Sequence, residues 1–361
     1  MNPQAKTTAA EALEAALRRI YEISGGSIDS GDVRAQRLTT EQRIAYFRSP
    51  EFRAWVEAEI AEGRQVFWLK DVDKTQAAGD IFTFFFKWRA DNNKFSSDQL
   101  AVMRRFLRKH RASLKRESTS VNRKRHVVPA SRLPYEVLEL WDRKESGGQG
   151  IALLDFWKGI YWPTQIGLTE EEKLAQVKAF APHYASRIYP GVPEENRLLE
   201  ELGVHVVIVS NGDQELARAA SGHLGIKPEN VVGSHLIYGA DGHATGVNHS
   251  YEVFDEDWTV RPQPGKPLSF HYWVHVNRAR WGWNRIDDRK IVIAGRDGDS
   301  ASADGGMMIL LKAPAIGNFM VDTPGEPDRL KKMLKLVDKY GWTPGQHFTL
   351  IQAHSLQGRR P

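Results

Sequence analysis

The chain reads as an α/β protein, a doubly wound parallel sheet (Rossmannoid) with a large, mostly helical cap inserted after its first motif-bearing strand. Three apolar runs predict this. Residues 66–69 lead into Asp71, Asp73 and Thr75; residues 204–209, β-branched almost throughout, end in Ser210; residues 291–294 lead into Asp297 and Asp299. Buried parallel strands read as continuous apolar runs bounded by turn residues. In open α/β sheets ligands gather at the carboxyl ends of such strands, and here each run delivers polar groups at that end. No Gly-x-Gly-x-x-Gly follows any strand, so dinucleotide binding has no support.

Residues 1–7 are polar, and 8–24 carry helical periodicity in strong helix formers until Gly25-Gly26-Ser27 breaks the pattern. Residues 40–62 read as one or two helices, with Ser49 as an N-cap and Pro50 at the first helical position. The stretch 1–60 is therefore an N-terminal helical segment, and the sheet begins with 61–88. About 130 residues then separate the first two motifs, far too many for an ordinary strand-to-helix connection. Helical patterns at 97–117, 134–144, 150–158 and 169–187 fill the gap, the last opened by a capping box from Thr169 to Glu172. This places a helical domain at 89–194 and returns the chain to the sheet over 195–361. After Ser210, Asn211 and Gly212 are expected to open a helix, and Pro-Gln-Pro-Gly-Lys-Pro at 262–267 puts Lys266 in a turn.

A composition of 41% hydrophobic and 10% aromatic residues supports a sizeable core. The absence of cysteine excludes disulfides, thiol catalysis and thiolate metal sites. A net charge of +5 mildly favours anionic partners, such as phosphate esters. No run of about 18 apolar residues exists, so no membrane span is expected. The first 30 residues lack a signal peptide's apolar centre, which suggests a soluble, cytoplasmic protein, or a periplasmic one if a leader was removed. Oligomeric state is left open.

Two acids one residue apart at a strand end repel and raise each other's pKa, so a chain keeps such a pair where a cation or a reaction needs it. The order Asp71-x-Asp73-x-Thr75, then Ser210, then Lys266, then Asp299 with Asp304 five residues later resembles the four ordered motifs of the haloacid dehalogenase-like phosphatases. Within that superfamily the chain is most similar to the phosphorylcholine and phosphoserine phosphatase branch. The segment 298–308, Gly-Asp-Ser-Ala-Ser-Ala-Asp-Gly-Gly-Met-Met, carries the likeness, together with residues 161–169, Tyr-Trp-Pro-Thr-Gln-Ile-Gly-Leu-Thr. Lys74 departs from the small or amide residue usual between Asp73 and Thr75.

The resemblance implies a magnesium-dependent phosphomonoesterase acting on a small phosphate ester, phosphorylcholine among the candidates, through an aspartyl-phosphate. Asp71 is then the nucleophile and Asp73 the general acid and base. Mg²⁺, which suits all-oxygen sites, would be held by Asp71, Asp299, the Asp73 backbone carbonyl and Asp304, with Asp297 a competing ligand. Thr75, Ser210, Asn211 and Gly212 would hold the phosphoryl oxygens, and Lys266 would neutralise charge. The family places a mobile helical cap in the long gap, where it excludes water and contacts substrate.

Two features of the cap stand apart. Aromatic residues crowd at Phe82, Phe84, Phe85, Phe86 and Trp88, with Tyr161 and Trp162 later. Most read as core, while Phe82, Phe85, Trp88 and Trp162 are candidates for a cage around a quaternary ammonium. Residues 104–125 hold ten Lys or Arg against Glu117 alone. A solvated helix face is the preferred reading there, over nucleic-acid contact. A phosphatase acting on nucleic-acid ends, or a decayed member that only binds ligand, are the rival functions.

Overall fold

The computed structural model describes residues 37–38, 40–117, 128–145, 148–249, 265–299, 304, 307, 316–321, 335, 339 and 348–352. The expected helix at 8–24 lies outside these. The chain divides into two compact units, one of residues 1–79, 182–234 and 249–361, the other of 80–181 and 235–248.

The first unit is built on strands β1 (Arg37–Leu38), β2 (Gln65–Lys70), β3 (Val204–Asp213), β4 (Val231–Tyr238, through Ser234), β6 (Ile291–Gly298), β7 (Ile316–Val321) and β8 (Phe348–Gln352). A short strand β5 (Ala244–Asn248) pairs antiparallel with the second half of β4 in the other unit. The order in the first unit is β1-β8-β7-β6-β2-β3-β4, and every neighbouring pair is parallel. From β2 the chain steps one way through β3 and β4 and the other way through β6, β7 and β8. The order therefore reverses between β2 and β6, and a crevice for ligand forms at the carboxyl ends beside such a switch.

β2 is buried from Val66 to Lys70, as a central strand covered on both faces must be. Alternation sorts its side chains. Phe67 and Leu69 join Val207, Val209, Phe270, Trp273 and Val274 on the face covered by the helix Gly265–Asn277. Trp68 faces the other way, its ring edge-on to Phe47 at 4.9 Å, and that face is covered by the helices Thr40–Phe47 and Pro50–Ala61. The Ser49 hydroxyl accepts from the Phe52 amide and Pro50 is at the helix start, as the sequence predicts. Trp68 reaches across to β6, where a Cβ on Gly295 would lie 2.4 Å from its indole. Glycine is required there by close approach.

The second unit is helical: Ile81–Asp91, Ser97–Glu117, Leu133–Glu145, Leu153–Phe156 continued by a wider turn over Trp157–Tyr161, and most of Glu170–Ala185. The Thr169 hydroxyl accepts from the Glu172 amide while the Glu172 carboxylate accepts from the Thr169 amide, a reciprocal capping box.

Two local expectations are corrected. Asn211 and Gly212 do not open a helix: β3 runs on to Asp213, whose carboxylate caps the helix Gln214–Ser221 by accepting from the Leu216 amide. Lys266 is not in a turn but in the first turn of the helix Gly265–Asn277. Proline is tolerated in a first helical turn because the amide it removes has no intrahelical partner there, so Pro267 fits a helix start as well as a turn.

Candidate active site

β2 ends at Lys70, and Asp71 continues the ladder for one more step, its amide donating to the Asp297 carbonyl at 3.0 Å. Alternation points Asp71 to the face of Phe67 and Leu69. There the helix Gly265–Asn277 brings Lys266, whose Nζ lies 2.6 Å from Asp71 Oδ1 and also pairs with Asp304 Oδ1. From β6 the chain passes Gly298 to Asp299, whose amide donates to Asp304 Oδ2 at 2.9 Å. A Cβ on Gly298 would fall 2.6–2.8 Å from Asp304 Cβ, Cγ and Oδ2, so a glycine at 298 lets Asp304 close over the strand end.

One carboxylate oxygen each of Asp71, Asp299 and Asp304 lies within 4.8 Å of the others, and all three residues are buried. Burial pushes the Asp71 carboxyl up to about 6; the Lys266 ammonium opposes this and the Asp304 carboxylate adds to it. The two acids beside it raise the Lys266 ammonium above its ordinary range, against the effect of burial. With every group ionised, these three carboxylates and the Lys266 ammonium sum to two negative charges among the described residues. Such an all-oxygen donor set fits a hard divalent cation such as Mg²⁺.

Asp297 belongs elsewhere. It takes Arg43 at 2.7 Å, Lys70 at 3.3 Å and the Trp68 indole N–H at 2.8 Å. Glu195, from the helix Val192–Glu201, pairs with the same Arg43 at 3.0 Å and with Lys70. The neighbouring cations hold the Asp297 carboxyl below the usual carboxylate range although burial works the other way. The expected competition between Asp297 and Asp299 is thus divided by the two faces of the sheet.

The loop after Asp71 is tight. The Thr75 and Gln76 amides both donate to the Val72 carbonyl, and Lys74 has φ of +56°. A left-handed conformation favours Gly or Asn and costs a long side chain about 1 kcal/mol or more, which gives the departure at Lys74 a physical meaning. Asp73 is half-buried, its backbone bridging toward Ala77. Thr75 Oγ1 and Asn211 Oδ1 are buried and have no hydrogen-bond partner among the described residues. Ser210 is buried and its hydroxyl accepts from the Gly212 amide at 2.9 Å.

Gln76 was not singled out by sequence. Its amide nitrogen donates to the Asp71 carbonyl at 2.8 Å, and its oxygen accepts from Asn196 Nδ2 at 2.8 Å. The loop that carries the nucleophile candidate is thereby tied to the helix Val192–Glu201. Only its place next to the motif signalled it. In the second unit, Phe82 packs on Trp141, Phe156, Trp157 and Tyr161, and Phe85 on Trp88 and Phe180. Trp162 lies against Trp157 and Tyr161. Phe82, Phe85 and Trp162 are buried within that interior, and Trp88 is partly so.

No family model and no curated protein matches the chain. It is similar to several solved structures. A Bordetella pertussis protein of unknown function shares 12% identity over 80% of this chain and 98% of that one, at a TM-score of 0.45. A phosphoserine phosphohydrolase-like protein from Francisella tularensis shares 14% over 76% and 92%, at 0.37. A cytosolic 5'-nucleotidase bound to cytidine shares 13% over 84% and 86%, at 0.39. At these scores the likenesses are partial.

Proposed function

We propose that the chain is a magnesium-dependent phosphomonoesterase acting on a small organic phosphate through an aspartyl-phosphate. The observation that carries this reading is the buried cluster of Asp71, Asp299 and Asp304 around Lys266, at the strand ends beside the switch point. Among the described residues this cluster holds more carboxylates than cations, an excess that a bound cation would offset. Asp71, Asp299, Asp304 and the Asp73 carbonyl would hold Mg²⁺, which supplies the positive charge that lets a phosphate approach a carboxylate.

An Asp71 carboxylate oxygen attacks phosphorus as the ester P–O bond breaks, and Asp73 gives its proton to the departing alkoxide. Water then attacks the phosphoryl group, Asp73 takes the water's proton, and the bond to Asp71 breaks to release phosphate. Thr75, Asn211, Gly212 and Ser210 are placed in the reading to hold phosphoryl oxygens. The Lys266 ammonium offsets charge as it builds on them, where electrostatics supplies most of the catalysis. Phosphorylcholine is the first ester to test, on the likeness of the segment 298–308. The four aromatic candidates then serve substrate only if their interior opens to it.

The test is phosphate release from phosphocholine, phosphoethanolamine, phosphoserine and p-nitrophenyl phosphate, with Mg²⁺ or EDTA. Turnover that needs Mg²⁺ is expected. No turnover of any ester, with Mg²⁺ saturating and the fold intact, would sink the proposal.

A further inference from the structure

The helix Ser97–Glu117 has two dissimilar sides. Met103 and Leu107 are buried, and Phe106 packs where a Cβ on Gly159 would otherwise stand. The helix neighbours Leu133–Glu145 and Trp157–Tyr161 of the same unit. Arg104, Arg105, Arg108 and Lys109 are exposed on its outer side. Several exposed cations elsewhere have acidic partners: Arg48 with Glu194, Lys87 with Asp91, Arg132 with Glu139, Arg289 with Asp287. Among the described residues, Arg104, Arg105 and Arg108 have no acidic partner.

The imbalance is larger in the sequence. Of the chain's 50 Lys and Arg and 45 Asp and Glu, residues 104–125 hold ten cations and one acid, leaving 40 cations against 44 acids elsewhere. The rest of the chain is net acidic, and the whole is basic only because of this stretch. Six of those ten cations besides Arg104 lie on the helix between 104 and 116, a backbone span of about 18 Å at ~1.5 Å per residue. A nucleic-acid duplex presents one phosphate charge per ~1.7 Å of axis, so about ten phosphates fall along that span.

We infer that the outer face of the helix Ser97–Glu117 is a docking surface for the phosphate backbone of a nucleic acid. An anionic membrane would attract the same charges. However, a helix that lies on a bilayer inserts an apolar face, and this helix spends its apolar side on its own unit. A partner recognised by charge alone fits better. The surface reads phosphates and not bases, so binding is independent of sequence and falls steeply with salt. This inference does not depend on the phosphatase reading.

The test uses the full chain and a fluorescein-labelled duplex of about 20 base pairs, followed by anisotropy between about 50 and 200 mM salt. Beside it run phosphatidylserine vesicles in a co-sedimentation assay. The combined variant Arg104→Gln, Arg105→Gln, Arg108→Gln is compared with Arg53→Gln, Lys144→Gln, Lys290→Gln, which removes the same charge from exposed positions elsewhere. Thermal melts confirm that both variants fold. The expected result is duplex binding by the parent chain, with the slope of log K against log salt reduced in magnitude by about 2 to 3 in the first variant only. Three outcomes would overturn the inference: no duplex binding at the lowest salt, equal loss in both variants, or binding to vesicles without binding to the duplex.

Discussion

Two buried charge clusters lie back to back at the ends of β2 and β6, and they differ in their arithmetic. On one face of the sheet Arg43, Lys70, Glu195 and Asp297 set two cations against two anions, each group paired. On the other, Asp71, Asp299 and Asp304 come together, and Lys266 pairs with Asp71 and Asp304. Consecutive residues, Lys70 and Asp71, feed opposite clusters because side chains alternate along a strand. The first cluster is complete within the protein and fixes two helices to the sheet. The second groups, among the described residues, three carboxylates with one ammonium, an arrangement that a bound cation would offset. Buried charge is common to both; the surplus of carboxylates is what makes the second the candidate site.

Substitutions can break this contrast. Asp71→Asn removes the proposed nucleophile and is expected to lower kcat by about 10⁴-fold or more, as loss of a covalent nucleophile does in other hydrolases. In EDTA the same variant is expected to melt no lower than the parent, since it relieves crowding among three carboxylates. A normal turnover rate, or a large loss of stability, would show that the Asp71 cluster is structural.

Glu195→Gln has the opposite signature. It strands Arg43 and Lys70 with Asp297 alone, and breaking a buried pair typically costs about 3–5 kcal/mol. Urea denaturation measures it, and the folded fraction should retain far more activity than Asp71→Asn. Loss of activity without loss of stability would move Glu195 into the catalytic group.

Gly298→Ala sharpens the comparison at one atom. The added Cβ meets Asp304 at 2.6–2.8 Å, so Asp304 must shift while the balanced cluster is left alone. The Mg²⁺ concentration for half-maximal turnover is expected to rise about 10- to 100-fold, the range seen when ligand-orienting contacts are lost. An unchanged Mg²⁺ dependence would remove Asp304 from the ion's surroundings.

His205 is a third, half-buried ionisable group. Its ring nitrogen bonds Gln65 at 2.9 Å, and burial, with Lys227 and Arg280 adding to it, pushes its pKa down to about 4. The unfolded chain takes up this proton near pH 6.5 and the folded chain only near pH 4. Between those values the unfolded state binds more protons, so stability falls as pH drops through that window. His205→Gln should flatten this part of the stability curve modestly; an unchanged curve would mean the ring titrates normally.

Much of this was legible in the sequence because strands announce themselves. The apolar runs before Asp71, Ser210 and Asp299 all became parallel strands, and their order along the chain already implied ligands at one end of a sheet. The division between Asp297 and Asp299 was not legible. Arg43 lies 254 residues from Asp297, and Glu195 lies 125 from Lys70, so no local pattern connects them. Gln76 was hidden for the same reason, its partner Asn196 being 120 residues away. The misread turns had a local cause. Asn211-Gly212 and Pro-Gly-Lys-Pro carry turn chemistry, but pairing with β4 extended β3 through the first, and the second became a helix start.

The most direct test of the contrast is calorimetric titration of Mg²⁺ into the metal-free chain, alongside Asp299→Asn and Asp304→Asn. One ion per chain, lost or greatly weakened in both variants, is the expected result. No binding by the parent chain, or undiminished binding by both variants, would contradict the claim that the unbalanced cluster exists to hold a cation.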